Sequence, residues 1–139
     1  MKIKLRNNKK IISIYLCILL CLLFSGCSQT ENITEITYMQ ITAKEAKNIM
    51  DNETDYIILD VRTEEEFDEG HIDGAILIPD YEITEKAEDI LTNKDQLILV
   101  YCRSGRRSKL AADSLVTLGY TNIKEFGGII DWPYEVVTK

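Results

Sequence analysis

The sequence predicts an α/β domain with a central, mainly parallel sheet flanked by helices. Two observations carry that expectation. The strand-length runs Tyr56–Val61 and Leu97–Tyr101 are nearly continuous in apolar residues rather than alternating, the pattern of strands covered on both faces. Between such runs lie polar segments that open with helix-start signatures, so strands and helices alternate along the chain.

Taken in order, Tyr38–Ile41 reads as a first strand. Thr42-Ala43-Lys44-Glu45 is a capping-box pattern, in which the hydroxyl and the carboxylate each satisfy a free N–H at the other's position. It predicts a helix through about Asp51. Tyr56–Val61 is the second strand, and Thr63-Glu64-Glu65-Glu66 repeats the box, opening a short helix that stops near Gly70. Ala75–Ile78, closed by Pro79, reads as a third strand, and Ile83–Leu91 as a helix. After the polar Asn93–Gln96 turn, Leu97–Tyr101 is a buried strand. Ser108–Leu118 is a helix with Ala111, Leu115 and Leu118 on one face and Gly119 as its stop. Asn122–Phe126 is a last strand, followed by a turn and helix from Gly127-Gly128 through Trp132. There is no internal repeat.

The chemistry concentrates in Cys102-Arg103-Ser104-Gly105-Arg106-Arg107, between the end of a strand and the start of a helix. Such a loop turns backbone N–H groups inward at the positive end of a helix dipole and makes an anion nest. A thiol there, beside Arg103, Arg106 and Arg107, is expected to ionise near neutral pH and to attack as thiolate. Ligands on parallel sheets bind beyond the carboxyl ends of strands, where Cys102 falls.

The N-terminus has a different character. Lys2, Lys4, Arg6, Lys9 and Lys10 precede an apolar run, Ile11–Phe24. As a helix that run spans about 21 Å, short of a hydrocarbon core of about 30 Å. This is the layout of a secretory signal over residues 1–26. Leu23-Phe24-Ser25-Gly26-Cys27 resembles a bacterial lipobox, with Phe24 where that pattern usually has Leu. Cys27 is then expected to be lipidated, residues 27–36 to form a polar tether with a reach of roughly 15 Å, and residues 37–139 to form the folded domain. The expected location is extracytoplasmic, on a membrane through the lipid.

Without residues 1–26, eleven Lys/Arg stand against 23 Asp/Glu, a net charge of −12. Such a surface excludes binding of nucleic acid, or of an anionic bilayer, by charge attraction. The cysteine loop, with three of those cations, is the local exception. Of four cysteines, Cys17 and Cys21 leave with the signal and Cys27 is lipidated, so Cys102 alone stays free. That leaves no disulfide framework, no resolving cysteine for a dithiol oxidoreductase and no zinc-ligand cluster.

Together these motifs resemble the rhodanese-like sulfurtransferase family, in its single-domain form. Cys102 to Arg107 is similar to the family's six-residue active-site loop. Leu59-Asp60-Val61-Arg62, Glu66-Phe67 and Gly70-His71-Ile72-Asp73-Gly74-Ala75 are similar to its N-terminal signature, and Gly127-Gly128 with Trp132 to its C-terminal one. Asp73 stands where the family often has Pro. The resemblance implies a rhodanese-like three-layer fold and transfer of sulfane sulfur. Cys102 takes sulfur from a small anionic donor such as thiosulfate, holds it as a persulfide and yields it to cyanide, a thiol or an acceptor protein. The loop residues Arg103, Ser104, Gly105, Arg106 and Arg107 are implied to bind the donor, and no metal or organic cofactor is implied.

Several nearby residues have plainer readings. Asp60 and Arg62, two apart at a strand end, are expected to form a structural ion pair. His71, the only histidine, is expected to make a structural hydrogen bond rather than act as a base, and Trp132 to pack in the core. A cysteine-dependent phosphatase needs five residues between cysteine and arginine, whereas Arg107 falls one place early, which suits a single sulfur atom better than a phosphate. A persulfide carrier or sulfur-species binding module serving one protein partner is the other reading of the same loop. The lipid assignment has a direct test. Cys27→Ala should abolish lipid labelling and membrane retention, and unchanged labelling of the variant would rule the assignment out.

Overall fold

The computed structural model describes residues 37–138. The expected signal and tether, with Cys27, lie outside the described residues, as does Lys139. Five strands form one sheet: β1 Met39–Gln40, β2 Tyr56–Asp60, β3 Ile76–Leu77, β4 Leu97–Cys102 and β5 Ile123–Gly128. Four α-helices alternate with them: α1 Ala43–Asn52, α2 Glu64–Glu69, α3 Ile83–Ile90 and α4 Arg106–Thr117. Short 3₁₀ turns cover Asp80–Glu82 and Ile129–Asp131. The strand order is β1-β5-β4-β2-β3 and every pairing is parallel. No helix among the described residues is long and apolar enough to cross a membrane.

Central β4 is buried along its whole length, and alternate residues serve opposite layers. Ile98, Val100 and Cys102 pack with Ile83 and Ala87 of α3 and with Ala111, Ala112 and Leu115 of α4. Leu97, Leu99 and Tyr101 pack with Ala46 and Ile49 of α1, Phe126 and Trp132. The result is the three-layer arrangement that the sequence predicts. Both capping boxes form: Thr42 and Glu45 start α1, and Thr63 and Glu66 start α2. Gly119, at φ 89°, ends the last helix as expected, and Tyr120 N–H closes back on Leu115 O at 3.0 Å.

Several elements differ from the sequence reading. The helix expected at Ser108 begins at Arg106, because Gly105 turns the chain in the left-handed region at φ 91° and needs no further loop residue. The strand expected to stop at Phe126 continues through Gly127-Gly128, where Gly128 pairs with Cys102 across a register shift between Val100 and Cys102. The helix expected through Trp132 is therefore only the 3₁₀ turn Ile129–Asp131. The third strand is also shorter, two residues at the sheet edge.

Asp60 and Arg62 anchor the carboxyl end of β2. Asp60 is 0% and Arg62 5% exposed. Asp60 Oδ1 accepts from Arg62 Nε at 3.0 Å and Oδ2 from Nη2 at 2.7 Å, while the same Nη2 donates to Gly70 O at 2.7 Å. Tyr101 joins the cluster, its hydroxyl accepting Ile72 N–H at 3.2 Å and its ring 5.7 Å from the guanidinium. Burial, then the Asp60 carboxylate, pushes the Tyr101 phenol far above its usual range. Removing one partner of a buried pair strands the other charge, at a cost of about 3–5 kcal/mol. Asp60→Ala should lose stability on that scale in urea unfolding; an unchanged midpoint would show that the pair contributes nothing.

Candidate active site

Cys102 ends β4 at 1% exposure and is a free thiol. The chain then turns sharply through Arg103, Ser104 and Gly105 into α4. Gly105 N–H donates to Cys102 Sγ at 3.1 Å. Burial is the largest influence on the thiol and pushes it up. The polar groups around it, Ser108 first and then the N–H groups of Ser104 and Gly105, act the other way, and the thiol is lowered overall. The nest therefore favours the thiolate.

The end of β5 forms the floor of this loop. A Cβ on Gly128 would lie 2.2 Å from Arg103 O and 2.5 Å from Ser104 Cα, a separation no side chain tolerates. Ile130 N–H also donates to Arg103 O at 3.2 Å. Gly128 thus works by close approach, holding the loop against the sheet.

The three arginines have different situations. Arg103 and Arg106 are exposed, as is Ser104, while Gly105 is buried. Arg106 and Arg107 lie in the first turn of α4, not in the loop. Arg107, expected to face a bound anion, is engaged within the chain: Nη1 and Nη2 donate to Glu66 Oε2 and Oε1 at 2.7 and 2.8 Å. Both side chains are about one-fifth exposed. The Arg107 hydrogen bond holds the Glu66 carboxyl down at about 2, against the opposing effect of burial. Glu66 Oε2 also accepts Thr63 N–H at 3.1 Å, so one carboxylate caps α2 and ties it to α4.

His71 sits with α2. Its Nδ1 lies 2.9 Å from Phe67 O, its ring stacks on Phe67 at 3.7 Å, and its backbone pairs with Val137 in both directions. Two residues that sequence reasoning did not single out lie directly beneath the loop. Ser108, at 0% exposure, donates to Glu125 Oε1 at 2.6 Å, and Glu125 is only 2% exposed. Period-two alternation was the available signal, since Glu125 shares a strand face with buried Ile123. No group of three or more His, Cys, Asp or Glu among the described residues is placed to hold a metal ion.

Comparison with known proteins places these motifs. A model of the rhodanese-like domain matches residues 42–133. The chain is 37% identical over 73 residues to thiosulfate sulfurtransferase PspE of Escherichia coli (strain K12), covering 52% of this chain and 70% of that protein. It is 33% identical over 108 residues to the putative sulfur carrier protein YrkF of Bacillus subtilis (strain 168), covering 77% of this chain but 56% of that one. Among solved structures, a rhodanese from E. coli with bound anions superposes with a TM-score of 0.57 at 33% identity, covering 60% of this chain and 99% of that one. A rhodanese-related protein from Thermoplasma volcanium gives a TM-score of 0.64 at 32% identity, covering 73% and 100%. With the matched model spanning both capping boxes, the cysteine loop and the Gly-Gly floor, the chain belongs to the rhodanese-like domain family.

Proposed function

We propose that this domain is a sulfurtransferase that moves sulfane sulfur from an anionic donor such as thiosulfate to a thiophilic acceptor, through a persulfide on Cys102. The observation that carries the reading is the Cys102 sulfur at a strand's carboxyl end, receiving the Gly105 N–H at 3.1 Å where the chain turns into α4. The names of the sulfurtransferase and sulfur-carrier relatives support the same chemistry.

In the first step the thiolate bonds to the outer sulfur of thiosulfate. The donor's S–S bond breaks and its electron pair leaves with sulfite, so the negative charge passes to the outer sulfur of the persulfide. In the second step cyanide, or a thiolate, bonds to that outer sulfur and Cys102 departs as thiolate. Arg103 and Arg106, exposed at the rim, meet the incoming anion. Arg107 keeps N–H donors beyond the two held by Glu66 and contributes charge near the sulfur, while fixing α2 against α4.

A carrier that passes its persulfide to one dedicated protein is the second reading, favoured by the likeness to the sulfur carrier YrkF. The two differ in acceptor: turnover with cyanide or small thiols supports the enzyme, and sulfur held until a partner protein is added supports the carrier. Lipidation at Cys27, proposed from the lipobox-like sequence, would put either activity on the outer side of a membrane.

Three outcomes follow. Protein treated with thiosulfate should gain the mass of one sulfur on the Cys102 peptide and lose it to cyanide as thiocyanate, and Cys102→Ser should eliminate both. A Cys102→Ser protein that turned over like the parent, or hydrolysis of phosphate esters far exceeding sulfur transfer, would defeat the proposal. Arg107→Ala should weaken transfer from anionic donors by about 1–3 kcal/mol in kcat/KM, the scale of a charge-assisted hydrogen bond. Because the nest lowers the thiol, alkylation of Cys102 should reach its plateau as pH rises with an inflection below the roughly 8.5 of a free cysteine. An inflection at or above that value would show that burial dominates.

A further inference from the structure

A cleft of about 820 Å³ opens on the side of the sheet away from Cys102, and sulfur transfer as described above gives it no task. Cys102 packs in the layer of α3 and α4, whereas Ile58, Ile72 and Trp132, which line the cleft, belong to the layer of α1. The walls are aromatic. The Trp132 and Tyr134 rings meet edge to face with centroids 4.9 Å apart, and Tyr56 stands in the same lining with its hydroxyl donated to Met50 O at 3.0 Å. Trp132 Nε1–H donates to Glu135 O at 3.4 Å, which ties the C-terminal segment to the indole.

Charge around these rings is unequal. Asp51, Asp73 and Glu135 are exposed in the lining, against a single cation, Lys47. Lys47 is ion-paired with Asp51, and its Nζ lies 5.7 Å from the centre of the Tyr134 ring. An ammonium is therefore already held here between a carboxylate and an aromatic face, the two groups that attract an organic cation. Asp73 and Glu135 enter none of the ion pairs among the described residues. Asp73 is also the position at which the chain departs from the family pattern, with a carboxylate where Pro is common. The departure adds negative charge to an aromatic cleft.

We propose that this cleft binds the guanidinium of an arginine side chain of a partner protein, with Asp73 and Glu135 as counter-charges and Trp132 and Tyr134 as the stacking surface. Guanidinium suits this lining better than ammonium. It is flat and weakly hydrated, and it can lie on a ring while its N–H groups point to carboxylates in its own plane. The aliphatic stem of the arginine lies along the apolar part of the cleft, at Met50 and Ile58. Lys47 is a resident competitor. Its ammonium takes up Asp51 and part of the Tyr134 face, so an arriving guanidinium meets two free carboxylates and not three. Because the cleft and Cys102 belong to different layers, an occupant here leaves the cysteine loop open.

The inference does not depend on the sulfurtransferase reading, and its test uses no sulfur compound. Trp132 is the only tryptophan of the chain, so its fluorescence and its indole N–H resonance both report on the cleft. N-acetyl-arginine amide titrated into the full chain should change both signals saturably, with one dissociation constant. N-acetyl-citrulline amide has nearly the same shape without the charge and should bind about tenfold more weakly. Asp73→Asn, Asp73→Pro and Glu135→Gln should each weaken binding of the arginine amide about threefold. Lys47→Met keeps the stem, removes the competing ammonium and should tighten binding by about the same factor, which loss of a merely structural contact would not do. Arginine amide that moves neither signal, or citrulline amide that binds equally well, would overturn the proposal. So would folded Asp73→Asn and Glu135→Gln proteins that bind the arginine amide as the parent does.

Discussion

Placing an ionisable sulfur at the buried end of the central strand is the constraint on which the rest of the site depends. Charge at 1% exposure has no water to stabilise it, so backbone N–H groups and a hydroxyl must stand in for the solvent. Those groups converge only if the chain reverses within three residues, and that turn is available because Gly105 adopts φ 91°. The turn in turn needs a floor close enough to hold Arg103 and Ser104, which only the bare Cα of Gly128 permits. The register shift between β4 and β5 brings that glycine opposite Cys102. Nest, glycine pair and bulge are thus one geometric solution.

Charge around the site is balanced by pairing. Arg62 is satisfied by Asp60 and Arg107 by Glu66, while Arg103 and Arg106 face solvent. Two exposed cations thus stand at the rim of the site in an otherwise acidic domain. Screening limits the reach of distant carboxylates to about 8 Å in physiological salt, so the rim can still attract a small anion.

Much of this was legible in the sequence because it is local. Each capping box needs residues three apart, and each buried strand declares itself as an apolar run. The cysteine loop was readable as a motif, and Gly119 as a stop. What was hidden depends on distant partners. The commitment of Arg107 to Glu66 spans 41 residues of sequence, and no local pattern reports it. The helix start moved from Ser108 to Arg106 because a backbone dihedral, not a side-chain pattern, sets it. Gly127-Gly128 looks like a turn in sequence, whereas pairing with β4 makes it a strand end and leaves only a 3₁₀ turn where a helix is expected. The burial of Glu125 runs against the rule that an acid in a strand faces solvent; it follows from the face it shares with Ile123.

Glu66 gives the domain an unusual kind of linkage between its parts. A single carboxylate accepts the Thr63 N–H that starts α2 and both terminal nitrogens of Arg107 beside the reactive sulfur. Exchange of that residue is felt in two places in the same event, once as helix fraying and once as a freed guanidinium beside the cysteine loop. Drift at position 66 or 107 is therefore not independent, and a lineage that re-tuned the charge Arg107 places beside the cysteine loop would have to re-engineer the start of a helix far away in the chain. The charge beside the cysteine loop and the integrity of its neighbouring helix are inherited together.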